Sequence, residues 1–250
     1  MLFNTDNKLI QQAKELLTLS QKIVFFGGAG VSTASNIPDF RSADGLYNRE
    51  MDTIIPPETI LSHHYFVSHP ADYYRFQRKY LTFPDAKPNP AHHALVELER
   101  QGRLLAIITQ NIDGLHQQAG STRVLELHGN LNRYYCMRCG RPAQYQEVIQ
   151  AEEVPRCQKC GGLIRPDVVL YEEMLDENVL KEAIRAISSA DAMIVGGTSL
   201  VVYPAAGLLR YYSGDRLIIL NRDPTPFDDE AAVVLHGNID VLLPAILPSA

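Results

Sequence analysis

Short, unbroken apolar runs recur along the chain and indicate its fold class more directly than any other pattern. Each run is hydrophobic at consecutive positions, as strands of a parallel sheet are when both faces are covered. Amphipathic stretches with helical spacing lie between several of them, at residues 6–20, 91–101 and 176–188. The runs occupy residues 22–26, 104–108, 124–127, 192–195, 217–220 and 231–235. This alternation predicts an α/β fold with a doubly wound parallel, Rossmann-like sheet.

Two stretches interrupt the alternation of strands and helices. Residues 36–90 are rich in Pro, Tyr and His and contain no clear strand, and residues 133–170 carry all four cysteines of the chain. We expect both stretches to be insertions that together form a smaller zinc-binding and helical domain. The Rossmann-like domain would then consist of residues 1–35, 91–132 and 171–250.

The four cysteines form two pairs, each with a two-residue spacer. Cys136 and Cys139 make the first pair, and Cys157 and Cys160 make the second, 17 residues further on. This spacing lets two thiolates turn towards one ion, and two such pairs complete the tetrahedral shell that zinc prefers. Four protein ligands leave no open position for water or substrate. The pattern therefore predicts one structural zinc ion rather than a catalytic one.

The charge balance argues against two classes of function. The net charge is −6, whereas a nucleic-acid-binding protein needs a basic face. The segment between the cysteine pairs is itself acidic, which is the wrong charge for phosphate. No apolar stretch approaches the length of a membrane span, and the N-terminal segment does not resemble a signal peptide. Four cysteines are also too few for a disulfide scaffold, so we expect a cytoplasmic protein with reduced or metal-bound cysteines.

A glycine-rich turn and several polar segments follow the apolar runs. Gly28 and Gly30 come directly after the first run, although the third position of the dinucleotide fingerprint holds Thr33 instead of glycine. Further polar segments, at residues 109–113, 196–199 and 221–223, follow later runs. Ligands of doubly wound folds bind beyond the carboxyl ends of the strands. A dinucleotide site is therefore predicted there, but the acidic ribose-binding residue of a dehydrogenase is missing after a second strand.

Taken in chain order, these motifs resemble those of the sirtuin family. The resemblance covers residues from about 22 to 240, and no single motif decides it. Its motifs are GAGVST at 28–33, IPDFR at 37–41, PN-x-AH at 88–92, TQNIDGLH at 109–116, LHG at 127–129, the cysteine pairs, RP-x-VV at 165–169 and GTSL at 197–200.

The resemblance implies an NAD-dependent protein-lysine deacetylase. Such an enzyme consumes NAD, transfers the acetyl group of acetyl-lysine to ADP-ribose, and releases nicotinamide and O-acetyl-ADP-ribose. His128 is implied as the general base, and an imidazole suits that task at neutral pH. Asn111 would position the ribose or the attacking water. The alternative is a sirtuin-like protein ADP-ribosyltransferase, which would use the same NAD site with another acceptor.

The resemblance also implies which residues contact NAD, and most of them come from the polar segments named above. Ala29, Thr33, Phe40 and Arg41 would surround the pyrophosphate and the nicotinamide ribose, Ile112 and Asp113 would hold the nicotinamide carboxamide, Gln110, Thr198 and Ser199 would bond ribose or phosphate, and Asn221 and Ile239 would face the adenosine.

The acetyl-lysine peptide is expected to bind as an added β-strand. It would lie between two segments. One runs from Val168 to Tyr171, and the other is the loop from Leu200 to Tyr203. Backbone hydrogen bonds would then give affinity with little sequence preference.

Several positions differ from the usual sirtuin pattern. Asn36 and Glu172 stand where the family has glycine, and Asn tolerates a left-handed backbone. Glu172 also adds a negative charge beside the peptide. Relatives that remove succinyl or malonyl groups carry Tyr-x-x-Arg in the helix lining the acyl pocket, and the aligned residues here are Tyr74 and Gln77. Because Gln77 cannot pair with an acyl carboxylate, we expect neutral acyl groups, acetyl first. His92 and His116 are expected to be packed or solvated rather than catalytic.

Overall fold

A computed structural model describes residues 4–40, 42, 45–48 and 52–247. The strands in chain order are β1 Ile23–Gly27, β2 Leu104–Thr109, β3 Val124–Glu126, β4 Gly129–Cys136, β5 Pro142–Ala143, β6 Ile164–Val168, β7 Ala192–Gly196, β8 Leu217–Asn221 and β9 Val233–His236. The helices are α1 Asn4–Thr18, α2 Pro57–Ile60, α3 His63–Ser68, α4 Pro70–Phe76, α5 Pro90–Arg100, α6 Leu115–Ala119, α7 Tyr145–Ile149, α8 Glu177–Ser189 and α9 Ile239–Ile246.

Six parallel strands form the large sheet in the order β3-β2-β1-β7-β8-β9. This is the strand order of a doubly wound dinucleotide-binding fold, so the predicted fold class is confirmed. Every residue of β1, β7 and β8 is buried, because helices cover both faces of the sheet. The predicted strand at 231–235 begins two residues later, at Val233. The order reverses between β1 and β7, and this is where a crevice is expected.

Hydrophobic clusters lie on both faces of the sheet. Helices α1, α5 and α9 supply one cluster, in which Leu17 and Leu95 are fully buried. Helix α8 and a 3-10 turn, Ala205–Tyr211, supply the other. The helix starts follow from the sequence. Asn89 caps α5 by accepting from the amide of Ala91 at 2.9 Å, and Asp176 caps α8 by accepting from the amides of Asn178 and Val179.

A smaller lobe is built around an antiparallel sheet with the order β5-β4-β6. A third hydrophobic cluster joins its strands to helices α2–α4, so the two interrupting stretches share one core. The hydroxyl of Tyr74, for example, donates to the carbonyl of Ile164 at 2.7 Å. Strand β4 begins at Gly129, four residues before the predicted start of the cysteine-bearing insertion. It therefore runs from the edge of the large sheet into the smaller lobe.

In the described ranges, no helix has the length and apolar character needed to cross a bilayer.

Candidate functional site

A cavity of about 430 Å³ lies at the carboxyl ends of the large sheet, below the smaller lobe. The loops that follow β1, β2, β7 and β8 line it, so the polar strand ends that the sequence singled out meet at one place. Its size is typical of small-molecule sites. The crevice at the reversal between β1 and β7 is thus a ligand cavity.

The loops after β1 and β7 are pressed against each other at their glycines. The amide of Gly30 donates to the carbonyl of Gly197 at 2.8 Å, and a Cβ on Gly30 would lie 2.8 Å from the Cα of Gly197. Only glycines permit this approach. After Gly28 the chain forms two 3-10 turns, Ala29–Val31 and Thr33–Ser35. The Thr33 hydroxyl donates to the carbonyl of Gly30. This hydrogen bond stabilises the turn with threonine, in place of glycine, at the third position of the dinucleotide fingerprint.

Three side chains form a buried network beside this turn. The Asn111 amide donates to Ser32 Oγ at 3.1 Å, and Ser32 Oγ donates to Asp113 Oδ2 at 2.7 Å. The other Asp113 oxygen accepts from the amide of Leu115 at 2.8 Å. Burial raises the pKa of Asp113, while the bonds from Leu115 and Ser32 oppose that rise. Sequence reasoning did not single out Ser32, although it lies within the glycine-rich motif.

His128 lies between β3 and β4, and its ring orientation is fixed by the backbone. Its Nδ1 is 2.9 Å from the carbonyl oxygen of Gln110. A carbonyl oxygen can only accept, so Nδ1 carries the proton and Nε2 is the basic nitrogen of the neutral ring. The Gln110 side chain donates to Thr198 Oγ1 at 3.1 Å. Gln110 therefore connects His128 to the loop after β7.

Nearly all the residues that the resemblance implies for NAD line this one cavity. They are Ala29, Thr33, Phe40, Gln110, Asn111, Ile112, Asp113, His128, Thr198, Ser199, Asn221 and Ile239. Arg41, which completes the expected set, lies outside the described residues. Residues 168–171 also line the cavity, and from the opposite loop Val202 and Tyr203 do so.

The segment 36–90 contributes lining residues that carry no motif. They are Ser42, Leu46, Tyr47, Leu61, Tyr73, Tyr80, Leu81 and Phe83. The expectation that Tyr74 and Gln77 line the acyl pocket is not met, because both point into the core of the smaller lobe. Gln77 is fully buried and its Nε2 donates to the Tyr134 hydroxyl at 2.5 Å. Helical spacing alone did not reveal the turn Gln77–Leu81, whose π-helical geometry changes which side chains face the cavity.

A buried ion pair supports the segment that was expected to bind the peptide. Arg165 on β6 donates to both carboxylate oxygens of Glu173, at 2.6 and 2.9 Å. The same carboxylate accepts from the amide of Leu170 at 2.8 Å and lies 2.7 Å from His63 Nδ1. Burial acts to raise the pKa of Glu173, but these partners together lower it to about 2. Glu173 is therefore an anion that holds residues 170–173 against the smaller lobe.

The four cysteine sulfurs lie within 4.8 Å of one another at the far end of β4. Cys136 and Cys160 are 3.4 Å apart, and Cys139 and Cys157 are 3.8 Å apart. A tetrahedral zinc with Zn–S bonds of about 2.3 Å requires separations of about 3.8 Å, so the donor set fits this ion. The glycine after each pair has a φ near +70°, which shapes two matching turns. Strand β4 puts roughly 20 Å between this cluster and His128.

Comparison with known proteins agrees with this geometry. The Sir2 family profile matches residues 28–204. An NAD-dependent protein deacetylase of Clostridium acetobutylicum is 53% identical over 239 residues, which are 95% of this chain and 98% of the relative. A protein of the same description from Staphylococcus aureus, strain Mu50, is 46% identical over 230 residues, with 92% and 94% covered.

Solved structures give the same result. A Sir2 structure with a p53 peptide and NAD⁺ is similar to this chain with a TM-score of 0.82 and 41% identity, covering 94% of this chain and 95% of the other. A Sir2 structure bound to a propionylated peptide has the same TM-score, identity and coverage. A match of this extent covers the sheet, the cavity and the cysteine cluster together, and the chain belongs to the Sir2 family.

Proposed function

We propose that this protein is an NAD-dependent protein-lysine deacetylase that transfers the acetyl group of acetyl-lysine to ADP-ribose and releases nicotinamide and O-acetyl-ADP-ribose. The observation that carries the proposal is the orientation of His128 at the cavity. Because its Nδ1 donates to the Gln110 carbonyl, its Nε2 accepts the proton of a ribose hydroxyl. Relatives with nearly full coverage are described as deacetylases of this kind.

The buried network of Ser32, Asn111 and Asp113 forms the nicotinamide end of the cavity. Asp113 and the backbone at Ile112 hold the carboxamide, and Asn111 positions the ribose or the attacking water. The support is that both Asn111 and Asp113 are oriented by Ser32, so their polar groups are fixed before a ligand binds.

The rest of the NAD molecule extends along the reversal point of the sheet. Ala29 and Thr33 approach the pyrophosphate, where the packed glycines leave room for close backbone contact. Gln110, Thr198 and Ser199 bond ribose or phosphate, and Asn221 and Ile239 face the adenosine. Phe40 covers the reacting ribose and excludes water, with Arg41 next to it in the chain.

The peptide binds as a strand between residues 168–171 and the loop 200–203. The amides of Val169, Leu170 and Tyr171 already donate to groups of the protein. The peptide amides therefore donate to carbonyl oxygens on this side, and its carbonyl oxygens accept from amides of residues 201–203. Tyr171 and Tyr203 are 40% and 61% exposed, so they offer apolar surface on both sides of the peptide.

The acyl group is neutral, and acetyl is the first choice. Part of the cavity is lined by described residues of the segment 36–90. Among them is one carboxylate, Asp39, and no cationic side chain. The aromatic and aliphatic side chains of Tyr73, Tyr80, Leu81 and Phe83 suit an alkyl chain, and a carboxylate would find no cationic partner among them.

The cysteine cluster holds one structural zinc ion, which supplies folding energy and no catalytic position. The smaller domain is then formed by residues 36–90 and 133–170, with the remainder in the Rossmann-like domain. Four cysteines gathered for a metal, and not paired as disulfides, are typical of a reducing compartment, so we place the protein in the cytoplasm. Direct nucleic-acid binding is not part of the proposal, because the net charge is −6.

The test is to incubate the protein with NAD and an acetyl-lysine peptide and to follow all products by mass spectrometry. The wild type is expected to give deacetylated peptide, nicotinamide and O-acetyl-ADP-ribose. His128→Ala is expected to lower the rate by about 10²- to 10⁴-fold, since it removes the general base. The control His93→Ala changes an exposed histidine on α5 and is expected to keep the wild-type rate. ADP-ribose attached to protein, with the acetyl group retained, would instead identify a transferase.

A further inference from the structure

Glu172 occupies an unusual backbone position at the mouth of the cavity. Its φ is +76°, in the left-handed region where glycine is the usual residue. The preceding residue, Tyr171, is fixed by backbone bonds to Leu61 and His63 on either side of Ser62. Glu172 accepts a hydrogen bond from the amide of His64 at 3.0 Å through Oε2. The carboxylate is thus held at the rim, beside the peptide-binding segment.

The charges that line the cavity are mostly compensated within the protein. Glu173 pairs with Arg165, and Arg222 lies within 4 Å of both Asp39 and Asp223. Asp113 is buried and bonded to Ser32. Among the described residues, no cationic side chain lies within ion-pair distance of Glu172, unlike Glu173, Asp39 and Asp223. Asp113 has no such partner either, but Glu172 is exposed at the rim whereas Asp113 is bonded inside the cavity.

From this geometry we infer that Glu172 determines substrate specificity by favouring acetyl-lysine peptides with a Lys or Arg close to the modified residue. The inference rests on the proposed function and names the substrate class of that same site. A peptide that lies along residues 168–171 passes the rim carboxylate, and an exposed, uncompensated charge there attracts a basic side chain and repels an acidic one. Backbone pairing carries no sequence information, so this charge is a source of discrimination.

The reach of such an effect is short and depends on salt. At physiological ionic strength a charge is screened over about 8 Å, which covers only the peptide residues near the acetyl-lysine. An exposed ion pair typically changes affinity by about two- to fivefold. The preference should therefore appear in KM, affect only nearby peptide positions and weaken as salt is added.

The experiment compares acetyl-lysine peptides that differ at one residue, which is Lys, Gln or Glu, moved in turn through the three positions on each side. For the wild type, kcat/KM is expected to be highest with Lys and lowest with Glu at one or more positions. Glu172→Gln keeps an oxygen that can accept from His64 but removes the charge. It is expected to reduce the Lys-to-Glu ratio by about two- to fivefold, mainly through KM. The control Glu182→Gln removes an exposed acid on α8 and should keep the wild-type ratio.

The outcomes separate the two proposals. Deacetylation with the same Lys-to-Glu ratio in the wild type and in Glu172→Gln would overturn the inference while leaving the proposed function in place. A ratio that does not fall between low and high salt would also overturn it, because a rim charge is screened. Failure of the wild type to deacetylate any of the peptides would overturn the proposed function itself. Glu172→Gly should match Glu172→Gln, because the left-handed backbone suits glycine.

Discussion

Two buried histidines behind the cavity, His92 and His116, have ring nitrogens that lack a hydrogen-bond partner among the described residues. In the described part of the chain, His92 Nε2 and both ring nitrogens of His116 lack a partner, and the two rings lie 4.8 Å apart. Burial lowers the pKa of His92 to about 4 and that of His116 to about 3. His93 adds to the lowering of the His92 pKa, and His92 adds to the lowering of the His116 pKa. Both are therefore neutral core residues, which is the packed alternative of the two expected from the sequence.

These two histidines predict a loss of stability on mild acidification. Their folded-state pKa values lie below the unfolded value of about 6.5, so the unfolded chain binds more protons as the pH falls. The free energy of unfolding should decrease below pH 6.5, by about 1.4 kcal/mol per pH unit for each histidine, until about pH 4 for His92 and about pH 3 for His116. Urea unfolding between about pH 6.5 and 4.5 measures this slope.

The variant His116→Gln removes one of the two titrations and should roughly halve the slope contributed by the pair. His64→Gln changes an exposed histidine and serves as the control. Asp113 contributes with the opposite sign, since its pKa is raised, and this effect is present in all three proteins. An unchanged slope in His116→Gln would contradict the assignment to the buried pair.

At the scale of elements, strand β6 and the segment that follows it are held in place by the ion pair of Arg165 and Glu173. Arg165 also donates to the carbonyl of Val168, and its guanidinium lies 5.8 Å from the ring centres of Phe66 and Tyr135. The pair thus connects helix α3 and strands β4 and β6 to residues 170–173, part of the segment that we propose binds the peptide. Since Glu173 has a pKa lowered to about 2, its stabilisation is present above about pH 4.5 and is lost as the pH falls towards 2.

Removing only one partner of this pair should be strongly destabilising. Arg165→Met leaves a largely buried carboxylate unpaired, and we expect the free energy of unfolding to fall by about 3–5 kcal/mol. The double variant Arg165→Met/Glu173→Leu should recover most of that loss. The KM for the acetyl peptide should rise in both variants, because the hydrogen bond from the Leu170 amide to the Glu173 carboxylate is weakened in the single variant and lost in the double variant. Chemical unfolding and steady-state kinetics check the two effects, and equal stability of the single variant and the wild type would contradict them.

At the scale of the whole molecule, the cavity exists because two lobes meet above the reversal point of the large sheet. The contact between the loops after β1 and β7 fixes its floor. Gly197 has a φ of +60°, and a Cβ there would lie 2.5 Å from the amide nitrogen of Val31. A side chain at this position would therefore push the two loops apart, which changes the stability of the sheet edge and the shape of the NAD site together.

Gly197→Ala is expected to destabilise the protein and to weaken ADP-ribose binding. Gly102→Ala is a matched control, because Gly102 has a similar φ of +70° but a Cβ at that position would have no atom within 4 Å. Both variants introduce backbone strain, and only Gly197→Ala also introduces a steric clash. Its free energy of unfolding should therefore fall by about 1–3 kcal/mol more than that of Gly102→Ala. Urea unfolding and calorimetric titration with ADP-ribose measure the two losses. Equal losses in both would show that the loop contact does not matter.

The local patterns could be predicted from the amino-acid sequence. Buried strands must be apolar on both faces, so the runs at 104–108 and 192–195 predicted strands that the structure confirms. A two-residue spacer lets two thiolates turn towards one ion, so the spacing of the two cysteine pairs predicted their cluster. Asn36 stands where the family has glycine, and its φ of +63° lies in the left-handed region that Asn tolerates.

The contacts between residues of different elements could not be predicted from the sequence, because they depend on how the elements pack. The ring orientation of His128 depends on the Gln110 carbonyl, 18 residues away, and the Arg165–Glu173 pair depends on the turn between them. The turn Gln77–Leu81 places Tyr80 at the cavity and Gln77 in the core, which a regular helical period does not reveal. The physical reason is that pattern and spacing govern contacts within an element, whereas packing between elements selects the side chains that face a cavity.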